Sequence, residues 1–149
     1  MNQDDTTSIP SIETIRRAAE RIKPFINRTL VLTCKSLNRM VNAELYFKCE
    51  NFQKVGAFKF RGATNAVLSL MDEEAKLGVA THSSGNHAQA LALAAKNRHI
   101  KAYVVMPRTA PQVKIKAVEE YRGEIIFCKP TLKDRETTLS RIVEKTGAT

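Results

Sequence analysis

With 149 residues, 43% of them hydrophobic, the chain has room for one ordinary domain or for part of a larger one, and enough apolar material to fill a core. Charged residues make up 26%, beside only six glycines and five prolines, which excludes collagen-like, low-complexity and disulfide-scaffold classes. No apolar run approaches the roughly 18 residues of a membrane-spanning helix, so a membrane span is excluded as well.

The 24 Lys and Arg outnumber the 15 Asp and Glu, for a net charge of +9, and most of the excess falls in residues 96–149. Such a balance suits nucleic acid, an anionic small molecule or an acidic remainder of the same polypeptide. Cys34, Cys49 and Cys128 stand far apart without a CxxC pair, so they read as reduced thiols rather than as a disulfide framework or a zinc site. His82, His87 and His99 lack metal-ligand spacing. The acidic, polar start Met1-Asn2-Gln3-Asp4-Asp5 has the pattern of neither a secretory signal nor a transit peptide, and the cytoplasm is the expected location.

Residues 1–8 read as a frayed tail. Behind Pro10-Ser11, the residues Ile12, Ile15, Ala19 and Ile22 recur at helical spacing until Pro24 stops them. Thr29 to Leu32 and Leu45 to Cys49 read as strands, with a helical turn around Ser36 to Met40. From residue 59 the rhythm becomes regular: a helix over Lys59 to Met71, a short apolar run Gly78 to Thr81, and a helix from Asn86 to Arg98. A buried-type strand Ala102 to Met106, a helix through Val113, Ala117 and Tyr121 ended at Gly123, and a strand Glu124 to Phe127 follow. A last helix runs near Arg135 to Lys145. This alternation implies a parallel sheet with right-handed crossovers, and in such sheets ligands bind beyond the carboxyl ends of the strands. That singles out the loop after Thr81.

The loop His82-Ser83-Ser84-Gly85-Asn86-His87 places two hydroxyls, a glycine and an amide at a helix N-terminus. Such a terminus favours a carboxylate or phosphate, although ordinary capping by Ser84 or Asn86 would explain the same residues. Neither GxGxxG nor GxxxxGK[ST] is present, which removes support for a Rossmann fingerprint or a P-loop. In Gly56-Ala57-Phe58-Lys59-Phe60-Arg61-Gly62-Ala63, a lysine lies between two aromatics at a helix start. Held in an apolar pocket, it would lose part of its preference for charge and could form a Schiff base with a carbonyl; otherwise it is a snorkelling lysine.

Together these two segments resemble the fold-type II pyridoxal-phosphate enzymes, most closely the serine racemase and threonine/serine dehydratase group. Phe47-Lys48-Cys49-Glu50-Asn51-Phe52-Gln53 and Val105-Met106-Pro107-Arg108-Thr109-Ala110-Pro111 extend the likeness over nearly the whole chain. The resemblance implies an incomplete α/β architecture, tryptophan synthase β-like, with a parallel sheet and helices on both faces. Residues 1–149 would be the N-terminal part, including most of the small domain (about 55–149). It implies pyridoxal 5'-phosphate as cofactor and a small hydroxy amino acid as substrate, with homodimers for a full-length form.

Residue by residue, Lys59 matches the lysine that takes the cofactor aldehyde and moves protons at the substrate α-carbon. Asn86 matches the asparagine that hydrogen-bonds the pyridoxal 3'-oxygen, and Phe58 the aromatic beside the ring. Ser83, Ser84, Gly85, Asn86 and His87 match the loop that grips the substrate carboxylate, with Arg135 a further candidate for that carboxylate. Ser84 matches the hydroxyl that faces Lys59 across the cofactor in racemising members. Ala57 stands where many members have serine, and no glycine-rich phosphate cradle occurs in these 149 residues. The expected activity is therefore dehydration or racemisation of L-serine or L-threonine, weak or absent in this chain alone. The alternatives are a basic binding module, whose charges are however spread over several elements without aromatic interleaving, and a non-catalytic subunit that pairs with a complete relative.

Overall fold

The computed structural model describes residues 9–149; the predicted terminal tail, residues 1–8, lies outside them. Helix α1 (Ile12–Ile22) begins where Ser11 accepts a hydrogen bond from the Thr14 amide at 3.2 Å, and it buries Ile22. Strands β1 (Val31–Leu32) and β2 (Phe47–Lys48) form an antiparallel ribbon around α2 (Lys35–Val41). Both strands are shorter than the sequence pattern suggests. The chain leaves β2 at once for two 3-10 turns, Glu50–Phe52 and Lys54–Gly56, and Thr29 turns its hydroxyl to Glu50 at 2.6 Å instead of extending the ladder.

Helix α3 (Lys59–Ser69) is followed by α4 (Asp72–Leu77), an element the periodicity does not reveal. Six residues are too few to show a helical period, and α4 is instead set locally: the Glu74 carboxylate accepts from the Met71 amide at 2.9 Å, with three acidic residues in the first turn. Gly78 then turns the chain at φ 88°, where an added Cβ would meet the Lys101 carbonyl at 2.8 Å.

Strands β3 (Val79–His82), β4 (Ala102–Pro107) and β5 (Glu124–Cys128) make a parallel sheet in that order. Between them run α5 (Asn86–Arg98) and α6 (Gln112–Glu120). The final helix, α7 (Leu132–Thr146), starts three residues before the predicted position because Thr131 caps it, accepting from the Asp134 amide at 3.1 Å. Helices α5 and α6 pack together on one face of the sheet while α7 covers the other, which is the layering expected of the α/β alternation. All six residues of β4 are buried, as a central parallel strand requires. The chain also returns along the outer edge of β3, where the Ala80 amide donates to the Thr149 carbonyl at 2.7 Å and the Thr149 amide to Gly78 at 3.1 Å. Among the described residues no helix is long and apolar enough to cross a membrane.

Candidate active site

Two helices set the site. Phe60, Ala63 and Val67 of α3 pack against Ala90, Leu91, Ala94 and Ala95 of α5, and the small side chains let the two axes come close. The helices run parallel. At their far ends the Arg98 guanidinium of α5 donates to the Val67 carbonyl, to the Leu70 carbonyl at 2.9 Å and to the Asp72 carboxylate at 3.0 Å. At their near ends the Lys59 charge reaches His87 and adds to the burial that lowers the imidazole below its ordinary 6.5. Two helix N-termini, each the positive end of a dipole, therefore converge beyond the carboxyl end of β3.

The turn between β3 and α5 carries Ser83, Ser84, Gly85, Asn86 and His87 side by side. The Ser83 amide donates to the Val105 carbonyl at 3.1 Å, tying the turn to β4, and the Ser83 hydroxyl accepts from the Gly85 amide at 3.4 Å. Of the two readings left open by the sequence, ordinary capping is not what the structure contains: the cap position is Gly85, and no side chain closes the α5 N-terminus. A Cβ on Gly85 would meet no protein atom within 4 Å, so packing inside the chain does not require glycine there. Uncapped amides beside a glycine with open space above it suit an incoming anion.

Lys59 does not sit in the apolar pocket its aromatic neighbours suggest. Successive helical residues point about 100° apart, so Phe60 turns into the core and is fully buried while Phe58 turns outward and is 61% exposed. The Lys59 amine lies 5.2 Å from the Phe58 ring centre, is exposed, and joins none of the ion pairs among the described residues. It is an available amine; a cavity of about 220 Å³ between α3 and α5 is lined by Gly62, Val67, His87, Leu91 and Thr149, without Lys59. Arg135 is placed apart. It lies beside Cys128 at the end of β5, two strands over from the turn, and its Nε is buried without a partner.

Two features were not legible in the sequence. The first is a clamp behind Lys59: Arg61 grips Glu50 with two hydrogen bonds of 2.7 and 2.8 Å, and the Thr29 hydroxyl and the Lys48 amine complete the knot. The hydrogen bonds from Arg61 bring the Glu50 carboxyl down to about 2, against the opposing pull of burial. The second is Lys114 of α6, whose amine donates to the Asn86 side-chain oxygen at 2.8 Å. Their partners are 11 and 28 residues distant in sequence, and no local pattern joins them.

Comparison with known proteins places this arrangement. The family model described as pyridoxal-phosphate dependent enzyme matches residues 22–149. The chain is 54% identical over 139 residues to a beta-hydroxyaspartate dehydratase of Paracoccus denitrificans (strain Pd 1222), covering 93% of this chain and 44% of that protein. It is 53% identical to a serine racemase of Arabidopsis thaliana, covering 92% and 41%. The structure of maize serine racemase superposes with a TM-score of 0.90 at 49% identity, over 95% of this chain and 43% of that one. The chain thus spans less than half the length of the curated relatives it matches. A match across most of its residues, on a parallel α/β scaffold of the same kind, means that the chain belongs to the pyridoxal-phosphate dependent enzymes, in their fold-type II class.

Proposed function

We propose that residues 1–149 form the N-terminal half of a pyridoxal-phosphate-dependent dehydratase (ammonia-lyase) or racemase for a small hydroxy amino acid such as L-serine or L-threonine. Residues from about 55 to 149 make most of its small domain, and the full-length form is a cytoplasmic homodimer. The observation that carries this reading is an exposed primary amine, Lys59, at the start of the helix packed on α5, whose own N-terminus is uncapped and furnished with hydroxyls and a carboxamide. Relatives that are a hydroxyaspartate dehydratase and a serine racemase support the substrate class.

The residues present fit the reactive end of the cofactor: an amine for an aldehyde carbon, a carboxamide for a ring oxygen, and a ring-sized aromatic, Phe58, alongside. The six scattered glycines offer no phosphate cradle, so this chain alone is expected to hold the cofactor weakly. When bound, pyridoxal phosphate supplies the electron sink that acidifies the substrate α-proton. Lys59 would hold the aldehyde carbon, and its amine, freed when the substrate amine takes that carbon over, would accept the α-proton. The unpaired amides of the Ser83 to His87 turn would hold the substrate carboxylate against the α5 dipole, while Arg135, the further candidate for that carboxylate, stands two strands away from the turn. Asn86 would donate to the 3'-oxygen. For racemisation the Ser84 hydroxyl would give its proton to the opposite face of the α-carbon; for dehydration the β-hydroxyl would instead take up a proton and leave as water before that step.

Borohydride trapping tests the assignment under weak binding. The chain is incubated with pyridoxal phosphate, reduced, digested and mapped by mass spectrometry. Adduct concentrated on Lys59 over the remaining lysines, and lost from that peptide in Lys59→Ala, is the expected result. Adduct spread evenly over the surface lysines would sink the reading.

A further inference from the structure

Lys114 reaches the turn because of how α6 packs. Ile115 and Val118 of α6 are buried against Ala88 and Ala92 of α5, both fully buried, and the small alanines allow the close approach. This register carries Lys114, in the first turn of α6, over the start of α5, where its amine stands 2.8 Å from the Asn86 side-chain oxygen. The bond is open to solvent, with Asn86 exposed and Lys114 half-buried, so the contact contributes little to folding. Its consequence is orientation. A lysine ammonium only donates, so the oxygen of the Asn86 carboxamide must face Lys114 and its NH2 group must face the other way.

We propose that Lys114 is a positioning residue that fixes the Asn86 carboxamide with its NH2 group presented to the 3'-oxygen of pyridoxal phosphate. This rests on the cofactor assignment above and adds to it the reason why Asn86 donates there rather than accepts. An unrestrained carboxamide at an exposed helix start would present oxygen and nitrogen with similar ease, and half of its orientations would set a carbonyl against an oxygen anion. The ammonium removes that choice, and its charge also favours the anionic form of the nearby oxygen.

The test compares Lys114→Met, Lys114→Arg and Asn86→Ala, reading the pyridoxal phosphate concentration that half-labels Lys59 on borohydride trapping. Lys114→Met is expected to raise that concentration about tenfold, the scale of one well-aligned hydrogen bond. Lys114→Arg, which also only donates, restores it to within about threefold. With the 3-deoxy analogue of pyridoxal phosphate, which keeps the aldehyde and the phosphate but lacks the oxygen, Lys114→Met matches the unsubstituted protein. In an Asn86→Ala background Lys114→Met adds nothing further. Equal weakening toward both aldehydes, labelling unchanged by Lys114→Met, or a full loss persisting without Asn86 would each overturn the proposal while leaving the Lys59 assignment intact. Absence of Lys59-selective labelling in the unsubstituted protein overturns both.

Discussion

The sheet unit and the N-terminal ribbon use apolar residues in opposite ways. In the sheet, Val104, Val105 and Met106 of β4 are fully buried, and two clusters of buried apolar residues pack around them. In the ribbon, Val31 and Leu32 are half-exposed, Met40 is 80% exposed, and Tyr46, Phe47, Phe52 and Phe58 also face outward. The ribbon is held instead by polar ties: Gln53 is 3% exposed and both accepts from the Asn27 amide at 2.9 Å and donates to the Asn27 carbonyl at 2.8 Å, beside the Arg61–Glu50 clamp. One region is stabilised by its own core; the other is pinned in place and offers apolar surface, a pattern characteristic of surfaces that meet other protein. Lys59 stands at the junction, on the first turn of the helix that both regions grip.

Five measurements would break or sharpen that contrast. The largest effect is expected in the core, where Phe60→Ala removes a fully buried ring and should cost about 3–5 kcal/mol in urea unfolding; a cost near zero would mean that α3 and α5 are not packed as described.

The clamp comes next. The Glu50 carboxyl is lowered from 4.5 to about 2, so its contribution is complete above pH 4.5 and is lost as pH falls toward 2. Removing this linkage with Glu50→Gln should cost up to about 3 kcal/mol at neutral pH and flatten the acid limb of the stability curve. An acid limb that Glu50→Gln leaves unchanged would show that the ribbon is not tied through this carboxylate.

His87 gives a smaller effect with its own window. Its lowered value favours the neutral ring in the folded state, so stability is present above 6.5 and declines as pH falls below it through the folded value. Thermal unfolding at about pH 7 and about pH 5 should differ less in His87→Gln than in the unsubstituted chain. Lys59→Met should raise the His87 titration followed by NMR, because it removes the nearby positive charge.

The smallest effect is expected on the ribbon surface, where Val31→Thr at a half-exposed position should change stability by no more than about 0.5 kcal/mol. A large loss there would mean that the ribbon is part of the core after all.

Much of the architecture was legible because it is local. The helical period from Asn86 to Arg98, the apolar run of β4 and the helix stop at Gly123 each follow from neighbours in the chain. The polar turn was legible for the same reason, since Ser83 to His87 are contiguous, and so was Lys59 by its motif. Helix α4 escaped because six residues show no period, and the pocket predicted around Lys59 failed because adjacent helical residues diverge, sending Phe58 and Phe60 to opposite sides.

The sequence by itself determined the order of elements and the parallel sheet, which depend on spacing along the chain, and it placed a candidate amine and a polar turn at helix starts. Only the tertiary structure decided what meets what: α3 packed along α5 so that the Lys59 charge is felt at His87, Arg61 reaching back to Glu50, Lys114 settling on Asn86, and Arg135 standing two strands away. Those pairings arise from helix faces that find each other through buried alanines and a shared core, and the distance between partners in space bears no fixed relation to their distance in sequence.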